Sequence, residues 1–302
     1  MCQTCTKKPV IALHSGEQLC KKCFIAYFDR KVRKTIRVHD LIDKGDTIAV
    51  AVSGGKDSLT LLDLLHAIFT NNKSVSLFAL LINEGIVGYR DDCVEHTKKF
   101  CAERNIPLHI FSYEQEFGFA LDTVVKGRKP CSVCGVLRRN LLNTKARDLG
   151  ATKLATGHNL DDEAQSILMN QFRSNMETSA RLGPLTGVKD REGFIRRIKP
   201  LYFMTEKEVM TYAFLKNITD DFRECPYNKD SYRNQVREML NKFEDLYPGT
   251  KHSVVQSFME ILPALKEKYK GDVPIKSCKK CGEPTSRDLC QKCVVLDQIR
   301  SS

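Results

Sequence analysis

The sequence predicts an α/β protein: a doubly wound, Rossmann-like parallel sheet flanked by N- and C-terminal zinc ribbons and a small helical extension. Strand-length apolar runs alternate with helix-length segments from residue 47 to about 173. A glycine turn joins the first of these runs to the first helix. Two four-cysteine groups bracket the whole, in a chain of 302 residues with 13 cysteines.

Residues 47–52, TIAVAV, are β-branched and alanine-rich, as in a strand buried on both faces. Ser53-Gly54-Gly55-Lys56-Asp57-Ser58 follows, and LTLLDLLHAIF (59–69) reads as a helix. SLFALLIN (76–83) is a second strand, with a helix at about 91–104 and a third strand at 107–112. A helix covers about 132–149, ATKLATGH (151–158) ends in a strand, and Asn159 opens a helix running to about 173. Helices near 205–215, 230–246 and 253–269 form the extension, the last two separated by Pro248-Gly249. This alternation places ligands at the carboxyl ends of parallel strands. Ala51 and the loop after it, Leu81, Ile82, Gly157, His158, Asp161 and Asp162 all stand at such ends. The expected units are residues 1–30 (zinc ribbon), 31–215 (nucleotide-binding catalytic domain), 216–270 (helical extension) and 271–302 (zinc ribbon).

The formal net charge of +11 is concentrated at the ends: residues 1–44 carry +6, residues 266–302 carry +4 and the 221 residues between them only +1. A neutral centre with basic ends predicts a catalytic core whose arms meet a polyanion. RKVRKTIR (30–37) holds five basic residues, and Arg138-Arg139 and Arg196-Arg197 repeat the theme inside the core. Arg233 and Arg237, one helical turn apart, are further candidates to face RNA. No run approaches the ~20 apolar residues of a membrane span, and no secretory signal opens the chain. With so many cysteines, a reducing cytoplasmic setting in which clustered thiols bind metal is expected.

Cys2, Cys5, Cys20 and Cys23 read C-x2-C-x14-C-x2-C; Cys278, Cys281, Cys290 and Cys293 read C-x2-C-x8-C-x2-C. Paired knuckles make a tetrahedral four-sulfur cage suited to structural zinc, with no position open to substrate. Cys131, Cys134 and Cys225 differ. Three thiolates are one short of a closed zinc site. They suit a [4Fe–4S] cluster with one open iron, a redox or persulfide-carrying pair with a resolving cysteine, or plain buried packing. Cys93 and Cys101, eight apart on a helix, read as structural.

A strand, glycine turn and helix make a phosphate cradle: Gly54 and Gly55 let backbone approach an anion, free helix N–H groups point at it, and Lys56 adds a charge. The Walker pattern is absent. Asp57 or Ser58 could instead cap the helix. Asp161 and Asp162 suit magnesium on the phosphates, or simply complement a helix N-terminus.

The hexapeptide SGGKDS resembles the PP-loop of the adenine nucleotide α-hydrolases. Together with PCSVCGVLRRNLLN (130–143), GHNLDDEAQ (157–165), Cys225 and the two knuckle modules, it resembles the tRNA 2-thiouridine synthetases of the TtcA/TtuA type, and among these the NcsA-like group. The resemblance implies ATP-dependent tRNA uridine 2-thiolation, most readily at the wobble uridine. ATP adenylates the 2-carbonyl oxygen, sulfur displaces AMP, and the T-loop uridine is the alternative target. It implies ATP and Mg as cofactors, with the pyrophosphate end of ATP at Ser53, Gly55, Lys56, Asp57 and Ser58, adenine near Leu81 and Ile82, and a second nucleotide motif at Gly157, Asp161 and Asp162. It implies a [4Fe–4S] cluster on Cys131, Cys134 and Cys225, two zinc ions, a homodimer, and free sulfide or a thiocarboxylated ubiquitin-like protein as sulfur donor. Arg138 stands where some members carry lysine, and a role in steadying the adenylate is expected of it. A PP-loop ligase without sulfur chemistry, or an RNA-binding adaptor, are the competing readings.

Overall fold

The computed structural model describes residues 1–70, 74–125, 127, 129–188, 193–219, 223–228, 231–270 and 275–301. The chain starts with a hairpin, β1 (Ile11–Ala12) and β2 (Gln18–Leu19), followed by α1 (Lys21–Val38). Then come β3 (Thr47–Val52), α2 (Lys56–Phe69), β4 (Ser76–Asn83), α3 (Arg90–Glu103) and β5 (Leu108–Ser112). Short helices α4 (Tyr113–Phe117) and α5 (Leu121–Val124) lead to α6 (Pro130–Asp148), β6 (Lys153–Thr156), α7 (Leu160–Phe172) and α8 (Met176–Ser179). β7 (Arg196–Ile198) and α9 (Glu206–Leu215) complete the sheet domain. α10 (Tyr232–Leu246) and α11 (Thr250–Lys268) form the extension, and a hairpin of β8 (Lys276–Ser277) and β9 (Pro284–Thr285) precedes α12 (Gln291–Arg300).

The main sheet is parallel, in the order β5-β4-β3-β6-β7. β3 sends the chain to β4 and β5 on one side, and β6 and β7 lie on the other. The carboxyl ends of β3 and β6 therefore flank the point where the order reverses, which is where such sheets open a crevice. Ile48, Ala49 and Val50 are fully buried, and the β-branched run has helices on both faces. β7 escapes the sequence reading: it has three residues, two of them arginines, and offers neither apolar run nor period.

One continuous core runs from Cys2, Ile11, Leu19 and Cys20 through Phe24 and Phe28 of α1 into β3, α2 and α9. α1 crosses residues 30 and 31 without a break. A second core joins Leu160, Ala164 and Ile167 of α7 to Val236, Leu240, Val255, Phe258 and Leu262 of α10 and α11. The boundary expected between residues 270 and 271 adjoins residues 271–274, outside the described residues. Among the described residues, no helix is long and apolar enough to cross a membrane. Cys93 and Cys101 are buried on α3, as structural cysteines should be.

Candidate active site

Of the loop after β3, Ser58 organises the turn: its Oγ accepts from Ser53 N–H at 3.0 Å and donates to Gly55 O at 2.9 Å. Gly55 is the N-cap of α2 and no side chain caps the helix. Neither Asp57 nor Ser58 does so, and the free N–H groups of the first turn stay available to an anion. Gly54 has φ +82°, and a Cβ there would stand 2.7 Å from Cys93 O. Its smallness seats the loop on α3 rather than facing a ligand. Gly157 serves the same end from β6: a Cβ would meet the Asp57 carbonyl carbon at 2.8 Å and Ser58 N at 2.9 Å. The two sequence motifs thus touch through backbone.

A cavity of about 520 Å³ opens over this contact. Ser53, Gly55, Lys56, Asp57, Asp161, Asp162, Arg138, Cys131, Cys134 and Cys225 all line it. Ala51, Gly54, Ser58, Leu81, Ile82, Gly157 and His158 do not; they lie behind or beside it. The Leu81 and Ile82 side chains are buried in the sheet core, leaving only backbone at that strand end for adenine.

Charge is paired across the cavity. Lys56 Nζ lies 2.9 Å from both Asp57 Oδ2 and Glu206 Oε1. Burial favours its neutral form, but the two carboxylates outweigh it and hold the ammonium charged. Burial pushes the Asp57 carboxyl up, against the opposing pull of Lys56. Asn159 Nδ2 donates to Asp57 Oδ1 at 3.0 Å. Asn159 is also the N-cap of α7 in a capping box with Asp162.

The two aspartates expected to act together on magnesium divide. Asp161 is buried, accepts from Glu206 N–H at 2.8 Å and is ion-paired with Lys251 of α11. Asp162 faces the cavity; burial raises its carboxyl to about 6, against Arg233. Asp162, whose nearest cation is Arg233 at 3.9 Å, is the carboxylate most open to a magnesium ion, and Asp57 takes one only by releasing Lys56 and Asn159. Asp161 fits one only by leaving Lys251.

Pro130 starts α6, so Cys131 and Cys134 fall in its first turns, three apart on one face, near the positive end of the helix dipole that favours thiolates. Cys225 stands before a 3₁₀ turn, Pro226–Asn228, packed against α6. The Cys131 thiol donates to Tyr227 O at 3.4 Å. Cys131 is exposed; Cys134 and Cys225 are half-buried. Burial raises the Cys134 thiol to about 11, opposed by Arg138.

Among the described residues, the groups that bring three or more ligand atoms within 4.8 Å of one another are the two terminal quartets. A tetrahedral ion with ~2.3 Å Zn–S bonds needs such tight spacing, so both quartets fit zinc. Cys131, Cys134 and Cys225 share a cavity wall without reaching that spacing. They fit a larger, multi-iron group better than a single ion.

Several residues of this site carried no weight in the sequence. Glu84, 2% exposed at the end of β4, pairs with Arg90 at 2.6 Å and Arg138 at 3.3 Å. Arg90 also donates to Ser53 O at 2.6 Å and to Ile82 O, bolting the loop to the neighbouring strand. A lone acid closing an apolar strand was a usable signal for Glu84, and Asn-x-x-Asp for the Asn159 box. Glu206 and Lys251 reach the site from distant helices and left no local signal.

Residues 26–244 match the family model described as a PP-loop domain. The chain is 36% identical to the tRNA 2-thiolation protein NcsA of Haloferax volcanii, covering 99% of both chains. It is 37% identical to the tRNA-5-methyluridine(54) 2-sulfurtransferase of Pyrococcus horikoshii, over 97% of this chain and 92% of that one. The chain belongs to the PP-loop family of tRNA 2-thiolation proteins. The solved U34-tRNA thiolase NcsA from Methanococcus maripaludis, with its [4Fe–4S] cluster, superposes on this member of the family with a TM-score of 0.84. That match has 34% identity and covers 98% of this chain and 95% of the other. The cytoplasmic tRNA 2-thiolation protein 1 of Danio rerio is 34% identical over 99% of this chain and 88% of its own.

Proposed function

We propose that this chain is an ATP-dependent tRNA uridine 2-sulfurtransferase acting at the wobble uridine. The single observation that carries the reading is the shared cavity: a pyrophosphate loop and three otherwise unassigned cysteines line one space. A uridine there would meet both an activating and a sulfur-bearing group. The 2-carbonyl oxygen attacks the α-phosphorus of ATP, and the bond to pyrophosphate breaks. Pyrophosphate leaves against the uncapped N-terminus of α2 and Lys56, whose fixed positive charges meet the growing anion. A sulfur nucleophile adds at C2, and the C2–O bond breaks as AMP departs with the former carbonyl oxygen. Arg138, steered by Glu84, supplies charge to the adenylate. Asp162 and Asp57 would hold magnesium. Cys131, Cys134 and Cys225 would hold the [4Fe–4S] cluster, which when bound supplies a metal position for presenting sulfur. Tyr113 steadies that wall by donating to Cys134 O at 2.9 Å.

The wobble position is favoured by the full-length match to a U34 thiolase; the relative that acts on position 54 keeps the T-loop as the second reading. Anaerobic protein given ATP, sulfide and unmodified tRNA should release AMP and pyrophosphate one-to-one with 2-thiouridine, mapped by mass spectrometry to position 34. Lys56→Ala should lower the rate by about 10²-fold, the scale of one lost transition-state charge contact. Cys225→Ala should abolish thiolation while an ATP analogue still binds. A Cys225→Ala protein that thiolates at the wild-type rate would remove the cysteines from the mechanism; thiolation at position 54 would move the target.

A further inference from the structure

We infer that Arg139 and Arg197 form a subsite for a backbone phosphate of the RNA substrate, beside the cavity and separate from the ATP phosphate loop. The inference rests on the thiolation reading above and adds to it where the RNA chain is gripped.

The two arginines come from different elements, α6 and the edge strand β7. They meet where Arg197 Nη2 donates to Arg139 O at 3.3 Å. Arg139 folds back along its own helix: a Cβ on Gly135 would stand 3.1 Å from its Nη1. Gly135 lines the cavity, so the Arg139 guanidinium lies at the cavity's border. A glycine inside a helix costs about 1 kcal/mol relative to alanine, and here the missing side chain is what gives that guanidinium room.

The neighbouring cations have carboxylate partners: Arg138 with Glu84, Lys199 with Glu163 and Arg233 with Asp162. Among the described residues Arg139 and Arg197 have none. Burial pulls both guanidiniums down, Arg139 with Arg138 and Arg233 adding, and Arg197, to about 10, with Arg139 and Arg138 adding. His158 stands among Lys199, Arg233, Arg197 and Arg138; burial and these charges keep it neutral. It adds no counter-charge. Among the described residues neither guanidinium has a carboxylate to balance it, although Arg197 is bonded to the Arg139 carbonyl. A phosphate, accepting from planar guanidinium forks, would supply the missing counter-charge.

The chemistry selects a phosphodiester of RNA over ATP. The triphosphate has its own site at the uncapped α2 N-terminus and Lys56, whereas the subsite lies past Arg138 and Gly135. A uridine turned into the cavity leaves its flanking phosphates at the border, next to Arg139, to whose carbonyl Arg197 is bonded.

The test compares Arg139→Gln, Arg197→Gln and the double variant with wild type, using unmodified tRNA and, separately, a non-hydrolysable ATP analogue. Each single change is expected to weaken tRNA binding about tenfold, as for a lost charged hydrogen bond. Each should also flatten the dependence of log Kd on log salt by roughly one, the signature of one phosphate contact. The KM for tRNA should rise with kcat little changed, and affinity for the ATP analogue should stay within twofold. Arg197→Lys should restore the salt slope but only part of the affinity. Melting temperatures should not fall, because removing one of two repelling cations relieves the pair. Wild-type tRNA affinity and salt slope in both variants would overturn the subsite alone, and so would a parallel loss of ATP-analogue binding or a lowered melting temperature. Failure of the wild-type protein to bind tRNA would overturn the thiolation reading and the subsite with it.

Discussion

The two terminal cysteine modules share a motif but not a setting. In the first, Cys2 and Cys20 belong to the core that continues through Phe24 and Phe28 into β3, α2 and α9. In the second, Cys278, Cys290 and Cys293 form a small cluster of their own with Leu289. That module reaches the body through α12, whose Val295, Leu296 and Ile299 pack beside Cys134, Cys225 and the buried face of α6. Arg147 of α6 also pairs with Glu283 at 2.8 Å. The same four-cysteine pattern therefore anchors the sheet at one end and props the cysteine-bearing wall of the cavity at the other.

The largest effect should separate these settings. Cys20→Ser removes a ligand whose module is part of the main core. It should lower the melting temperature of the whole protein by about 10 °C or more, with loss of far-UV signal in one transition. Cys278→Ser should lower it far less, yet depress thiolation about tenfold through α6 while ATP-analogue affinity holds. Equal melting losses in the two variants would erase the distinction.

A smaller effect concerns how the first module is held. His14, in the turn between β1 and β2, stacks on His252 of α11 with ring centroids 3.6 Å apart. Neither ring nitrogen of His252 has a hydrogen-bond partner among the described residues. Burial lowers His252 to about 4, with His14 and Lys31 adding to the effect against Glu208 and Glu244. The folded pKa lies below the unfolded value of ~6.5, so the unfolded chain takes up the proton first. Stability is full above about 6.5 and is lost as pH falls toward 4. Melting temperatures across that window should fall more steeply for wild type than for His252→Phe. Identical slopes would mean the stack does not carry the dependence.

The smallest effect lies at the other module. Arg147 is one-third exposed, and an exposed pair contributes about 1 kcal/mol or less. Arg147→Ala should cost no more than that, measured by denaturant titration, with its larger consequence a faster proteolysis of the C-terminal module. A loss several times greater would show the C-terminal module to be as deeply integrated as the N-terminal one.

The sequence by itself determined the four longer strands, the phosphate loop, both four-sulfur cages and the Cys131–Cys134 pair; that Cys225 joins this pair on one cavity came from the tertiary structure. The features set by sequence are written in neighbouring residues: β-branched runs, glycines at fixed offsets, cysteines three apart. These local patterns restrict backbone and ligand geometry wherever they occur. Tertiary structure alone decided that Gly54 and Gly157 serve backbone packing, and that of the two aspartates lining the cavity Lys251 claims Asp161. It also brought Glu84 between Arg90 and Arg138, and set Arg139 beside Arg197. Apart from Glu84 and Arg90, those pairings join residues tens of positions apart, and ion pairs and close backbone contacts depend on distance in space, which no spacing along the chain records.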